Sequence, residues 1–288
     1  MTSPTRISAT AHYTAQVWFR GGLADPAFAT REGEQLRRLV VPFNAVSRRL
    51  GGATLEGILL ARHRAIDYLL ERAIELDGVA QVVEVAAGLS ARGWRMTRLH
   101  PKLRYIEADL PGMILRKRDV LEHTAAPVGP RHELVEIDAL ADTGSRSIGA
   151  ITDRLDPERG AAIITEGLLN YFPGDTVVKM WRRFGLALAR FPTGVYLADL
   201  VVSGDSRGPV VRLFCVALGL FVRGGIHLDF PDENAPRRQL ELAGFTSAKV
   251  YRPFELARAI GDVEPAGARQ VRIIEARRLR QRSGADAS

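Results

Sequence analysis

Acidic residues recur where short apolar runs give way to turns in this 288-residue chain. Glu84 sits in Val82-Val83-Glu84-Val85-Ala86-Ala87-Gly88-Leu89-Ser90, Asp109 closes Tyr105-Ile106-Glu107-Ala108-Asp109, Asp138 closes the run from His132, and Glu166 precedes Gly167. Four carboxylates along one rim can accept hydrogen bonds from hydroxyl and amino groups and can offset a positive charge. Gly88 lets a ligand approach the backbone where a Cβ would obstruct it. A dinucleotide fingerprint would need glycines where Ala86 and Ala91 stand, and the chain carries no G-x-x-x-x-G-K-[ST] phosphate loop. The pattern therefore suits a nucleoside without a diphosphate. S-adenosylmethionine is one, with a sulfonium, an amino acid and an adenosine. Glu84 would face its cationic end, and Asp109, 25 positions further on, would accept the ribose hydroxyls, near the spacing of about 20 known for ribose-binding acids. Asp138 would accept the adenine amino group. Acids that only cap the following helices would explain one or two of these positions.

These side chains need a scaffold that brings strand ends to one edge. Five short apolar runs, at 79–87, 104–109, 132–138, 161–167 and 195–202, alternate with helical stretches such as 111–124 and 175–190. Runs of this kind suit strands buried on both faces, and the alternation predicts a doubly wound, Rossmann-like α/β sheet. Two more strands are expected at about 247–252 and 270–277, the last antiparallel because no crossover helix fits between them. The expectation is a mostly parallel seven-stranded sheet. Residues 1–77 read as an N-terminal helical cap, broken at Gly21-Gly22, Pro26, Pro42 and Gly51-Gly52, with an amphipathic helix over 55–76. Residues 78–278 read as the ligand-binding domain, 203–236 as an inserted lid over the acceptor site with an apolar helix around 209–222, and 279–288 as a disordered tail.

The strings VVEVAAGLSARGWR, RYIEADLPGMILRKRDVL, EIDAL and ITEGLLNYF resemble successive motifs of the leucine carboxyl methyltransferase family. Its bacterial branch includes S-adenosylmethionine-dependent O-methyltransferases of polyketide biosynthesis. SATAHYTAQVWFR and LLARHRAIDYLL are similar to that family's N-terminal helical motifs, so the resemblance covers residues 8–278. It implies cofactor contacts at Arg62, Gly88, Asp109, Asp138 with its neighbour Ala139, and Glu166. Arg62 would pair with the carboxylate of the methionine moiety, a planar bidentate match. Two positions depart from the pattern: Ser90 stands where the family's G-A-G-L-D-T-R has its acid, and Ala139 follows Asp138 where an Asp is usual.

The resemblance implies methyl transfer to an oxygen, a carboxyl or a hydroxyl, of a small polyketide-like molecule. A carboxylate acceptor is already ionised at neutral pH and needs orientation, for which Arg20 is a candidate. A hydroxyl acceptor would need a base, and His227 in the insertion and His12 are the histidines placed to be considered. Tyr171, after the fourth strand, is a candidate for lining the acceptor site. No catalytic group is assigned, and no histidine or carboxylate spacing suggests a metal.

Composition bounds the alternatives. At 46% hydrophobic and 25% charged residues the chain matches globular averages, which excludes wholesale disorder. One cysteine, Cys215, excludes an internal disulfide. The longest apolar run, Leu213 to Val222, is ten residues, about half of what a bilayer requires. The N-terminus lacks a secretory apolar core. A cytoplasmic protein without a membrane partner is expected. Net charge is +7 with pI about 10, which raises a nucleic-acid methyltransferase. Yet only four of the 40 basic residues are lysines and they are spread along the chain, which points to compositional bias. A catalytically degenerate binding module is the second alternative, suggested by Ala86 and Ser90. A nicotinamide enzyme comes last, for want of phosphate-binding glycines.

Overall fold

Each of the seven expected strands forms, and all join one sheet. The computed structural model describes residues 7–126, 128–205, 225–261 and 263–280. The strands are β1 (Val79–Val85), β2 (Arg104–Asp109), β3 (His132–Glu136), β4 (Gly160–Thr165), β5 (Thr193–Leu200), β6 (Ser247–Tyr251) and β7 (Arg272–Leu279). Their order is β3-β2-β1-β4-β5-β7-β6. β1 to β5 are parallel, and β7 runs antiparallel to both β5 and β6. The direction of winding reverses between β1 and β4, so their carboxyl ends flank the crevice where such sheets bind ligands.

Both faces of the sheet are covered. Val82, Ile164, Val195 and Leu197 pack against Ile66, Leu69, Leu70 and Ala73 of α3 (Leu55–Leu76). On the other face Val83, Val85, Ile106, Ile163 and Ala198 meet Met180, Trp181, Phe184 and Leu188 of α7 (Gly174–Leu188). Each such side chain contributes roughly 1.5–3 kcal/mol by leaving water. The wide apolar stripe of α3 serves two neighbours, because Leu55 and Leu59 also pack on Tyr13 and Val17 of α1 (Ile7–Arg20). The helix starts where expected: the Thr54 hydroxyl accepts from the Gly57 amide at 2.9 Å, a standard N-cap.

Several boundaries differ from expectation. α2 (Arg31–Arg49) runs straight through Pro42. Pro42 is exposed, so the carbonyl that loses its amide partner one turn earlier can turn to water. β3 ends at Glu136, two residues before Asp138, and β1 ends at Val85 rather than in the glycine turn. Leu279, placed in the tail by sequence, pairs with Thr193 as the last residue of β7. The helix preceding Gly244 is α8 (Asn234–Leu242), and the apolar stretch 209–222 lies outside the described residues. Among the described residues no helix is long and apolar enough to cross a membrane.

Candidate functional site

The turn after β1 is built on two left-handed residues, Ala86 (φ 56°) and Gly88 (φ 52°). Gly88 tolerates this conformation freely, whereas alanine there costs roughly 1–2 kcal/mol. A Cβ on Gly88 would meet only the methyl of Ala11 in α1, at 3.6 Å, so one side of the turn is open backbone. Its amide donates to Asp109 Oδ2 at 2.7 Å, and the Leu110 amide donates to Oδ1 at 2.7 Å. Asp109 is buried, and burial raises its pKa against the pull of those two amides and of Lys117. The ends of β1 and β2 thus form one unit with carboxylate lone pairs to spare.

The same turn is held from below by α5 (Pro111–Glu122). Lys117 Nζ reaches Gly88 O at 3.3 Å and also donates to Ser90 O. The ammonium is fixed by Glu107 at 2.6 Å, with His132 Nε2 3.4 Å from the other carboxylate oxygen. Burial works against ionised Glu107, but Lys117 and His132 prevail and hold its pKa down at about 2.

A second, larger charge cluster lies at the crevice between β1, β4 and β5. Arg92 opens α4 (Arg92–Leu99) and is fully buried. It donates to Asp67 Oδ1 at 2.6 Å, Glu84 Oε1 at 2.5 Å and Glu166 Oε2 at 2.5 Å. Glu84 also accepts the Tyr105 hydroxyl at 2.6 Å. His63 has a pKa lowered by burial and by Arg92, hence a neutral ring. Its Nδ1 lies 2.8 Å from Glu166 Oε2 and its Nε2 3.1 Å from Arg95 Nη2. Nδ1 also lies 2.8 Å from Arg92 Nη2, so this nitrogen faces an acceptor and a donor at once. Glu166 is held well below the usual carboxylate range: His63, Arg92 and Arg62 together outweigh its burial.

Arg62 closes the cluster toward the crevice. Its Nε donates to Glu166 Oε1 at 3.0 Å and its Nη1 to Asp199 Oδ2 at 3.2 Å. Nη2 makes no hydrogen bond among the described residues, and it lies 3.0 Å from where a Cβ on Gly167 (φ 68°) would stand. Glycine at 167 therefore satisfies both the backbone turn and the space beside the guanidinium. Asp199 is the next-to-last residue of β5, and its Oδ1 accepts the Gly167 amide at 2.6 Å.

The sequence-derived residues sort differently from expectation. Gly88, Asp109, Arg62 and Glu166 stand at the carboxyl ends of β1, β2 and β4. Glu84 does not stand free to meet a cation: its side chain points to the α3–α4 face, is 1% exposed and is committed to Arg92 and Tyr105. Asp138 is exposed beyond β3, with Oδ1 accepting from the Leu140 amide at 2.9 Å. Ala139 is half-buried against the core beneath α7. Arg20 is exposed at the far end of α1; it lies nine residues beyond Ala11, about 13 Å along the helix at ~1.5 Å per residue, and the structure does not bring it to the strand ends. His12 is locked, with Nδ1 2.8 Å from Thr30 Oγ1 and Nε2 2.5 Å from Arg116 Nη1, so neither nitrogen is free to act as a base.

Tyr171 lies beside Arg62, Asp199 and Thr10; burial raises its pKa, so at neutral pH it is a phenol able to donate a hydrogen bond. His227 is half-buried and its backbone is clamped by Asn170, whose Nδ2 donates to His227 O at 2.8 Å and whose Oδ1 accepts the Val201 amide at 2.9 Å. Sequence reasoning missed Asp199, Arg92, His63, Asp67 and Lys117. For Asp199 a signal was present, since it is the one acid in the apolar run VYLADLVV. Two surface grooves, one lined by Arg118, Leu121 and Leu134 and one by Val178, Asp229 and Phe230, include neither Gly88 nor Asp109 nor Arg62.

A family model described as leucine carboxyl methyltransferase matches residues 13–184, a span that contains Arg62, Gly88, Asp109 and Glu166. A Mycobacterium bovis BCG protein provisionally named an S-adenosyl-L-methionine-dependent methyltransferase is 33% identical over 173 residues, 56% of this chain and 53% of its own length. The chain thus spans about half the length of that relative. A Frankia alni protein of the same provisional name is 31% identical over 204 residues, 70% of this chain and 69% of its own. Among solved structures, a Thermobifida fusca protein provisionally titled a methyltransferase superposes with a TM-score of 0.64 at 15% identity, covering 93% of this chain and 94% of that one. That likeness concerns the fold.

Proposed function

Since the chain belongs to the leucine carboxyl methyltransferase family, we propose that it binds S-adenosylmethionine and transfers its methyl group to an oxygen of a small, polyketide-like molecule in the cytoplasm. The observation that carries the reading is the joined unit of Gly88 and Asp109 at the sheet's switch point, with Arg62 Nη2 nearby and without a hydrogen-bond partner among the described residues. The residues present fit the group. The open side of Gly88 admits a ligand against the backbone, Asp109 retains lone pairs for a ribose diol, and Arg62 offers N–H groups to a carboxylate. Asp138 and the adjoining Ala139 would border the adenine. Glu166 contributes by fixing Arg62, since both its oxygens are already engaged. Glu84 takes no part beyond anchoring Arg92.

When bound, the cofactor supplies a methyl carbon already activated by its sulfonium. The task of this chain's residues is then alignment and exclusion of water. α1 approaches the glycine turn through Ala11 and forms one wall beside it. Tyr171, protonated, can orient an acceptor oxygen. A carboxylate acceptor needs no base, and with His12 locked His227 is the remaining histidine candidate for a hydroxyl acceptor.

Calorimetric titration with S-adenosylhomocysteine tests the reading. Binding is expected in the micromolar range and should weaken roughly tenfold or more in Asp109→Ala, as expected for losing hydrogen bonds to a charged group. Absence of binding to folded wild-type protein would remove it. A second reading, a binding module without turnover, is favoured by Ala86, whose left-handed conformation sits where the family has glycine. Binding without methyl transfer from labelled donor across a broad panel of carboxylic and phenolic acceptors would decide for it.

A further inference from the structure

We infer that Asp199 is the positioning residue that aims Arg62 into the crevice, and so sets recognition of the carboxylate end of the methyl donor; this rests on the reading proposed above. A guanidinium on a three-carbon stem has many rotamers, and Arg62 is 14% exposed at its side chain, so nothing apolar encloses it fully. Two carboxylates fix it instead. Glu166 takes Nε, and Asp199 takes Nη1. With those edges engaged, the planar fork leaves Nη2 as the edge directed past Gly167. Removing Glu166 would still leave Arg92 and His63 crowding that position, whereas the side-chain hydrogen bonds of Asp199 among the described residues go to Arg62 and the Gly167 amide. Asp199 therefore couples two parts of the crevice, the left-handed turn after β4 and the guanidinium beside it, from the end of a third strand.

A purely structural role, satisfying the buried Gly167 amide, is the competing account, and the two diverge in ligand dependence. 5′-Methylthioadenosine shares the nucleoside of S-adenosylhomocysteine and lacks the amino acid. In Asp199→Asn the Oδ1 acceptor for Gly167 is kept while the charge facing Arg62 is lost and an N–H group turned toward it. Affinity for S-adenosylhomocysteine should fall roughly tenfold or more, the worth of one charge-assisted hydrogen bond, while affinity for 5′-methylthioadenosine stays within about twofold of wild type. If Asp199→Asn does not fold, Asp199→Ser, which also retains an acceptor oxygen and removes the charge, carries the same comparison. A parallel loss for both ligands, or no loss for either, would overturn the inference. Failure of wild-type protein to bind either ligand would instead overturn the donor reading, and this inference with it.

Discussion

The Asp109 carboxylate and the Gly88 amide lie 2.7 Å apart, so the acid that ends β2 and the turn that follows β1 are one hydrogen-bonded unit. Gly88→Ala separates its two duties. The new Cβ would touch only Ala11 at 3.6 Å, so the fold accommodates it at the cost of a left-handed alanine, about 1–2 kcal/mol. Thermal unfolding should drop by only a few degrees. Affinity for S-adenosylhomocysteine should fall further, roughly tenfold or more, because the methyl occupies the approach to the backbone. A stability loss with unchanged affinity would show that the open side of the turn is not where the ligand lies.

Ala86→Gly is the reciprocal change. Relief of the left-handed strain at φ 56° is worth about 1–2 kcal/mol, and the greater unfolded-state freedom of glycine returns roughly 0.4–1 kcal/mol of that. The net expectation is a small stabilisation, read as a rise in the urea midpoint. A lower midpoint would mean that the Ala86 methyl packs against something worth more than its strain.

Much of this architecture was legible in the chain, and the reason is physical. The 55–76 helix, the seven strands and the reversed last strand follow from periodicity, N-caps and connection length, all local properties. Strand ends were blurred where polar residues continue an apolar run, as at Asp138. Glu84 misled because an acid inside a strand was taken for one at its end; Val85 after it is the clue that the side chain turns into a buried face. The partners of the acids were out of reach. Arg92 is eight residues from Glu84, 25 from Asp67 and 74 from Glu166, and nothing in spacing alone shows that one guanidinium serves all three. Ranked by sequence, Arg92 is only the last letter of a glycine turn.

Arg92→Met therefore tests the cluster directly. It removes the shared partner of Asp67, Glu84 and Glu166 and leaves buried carboxylates without their main counter-charge. Removing one member of a buried ionic network costs about 3–5 kcal/mol, which should appear as a lower urea midpoint at pH 7. Asp67 keeps Arg95 at 2.5 Å and Glu166 keeps Arg62 at 3.0 Å, so Glu84 is the most exposed to the loss. Adding Glu84→Gln to Arg92→Met should recover part of the stability. No recovery would place the cost in lost packing rather than in stranded charge.

The pH dependence of stability follows from the same cluster, with signs that differ by group. His63 has a lowered pKa, mainly from burial and then from Arg92, so on falling pH the unfolded chain takes up a proton near pH 6.5 while the folded chain does not. Stability is then lost as pH drops below about 6.5. Asp67 and Glu107, held at about 2, act lower down: their stabilisation is complete above the ordinary carboxylate range and declines as pH falls from there toward 2. Asp109 and Asp199 are raised by burial and oppose this trend, since the folded state binds their protons first. The expected profile has a first decline between pH 6.5 and 5 and a second below the carboxylate range, partly offset. His63→Gln offers Glu166 a side-chain amide without a titrating ring, and it should flatten the first decline while leaving the second. If urea midpoints from pH 7.5 to 5 show the same slope in this variant as in wild type, His63 is not the group that titrates, and His12, also lowered by burial and Arg116, becomes the one to replace.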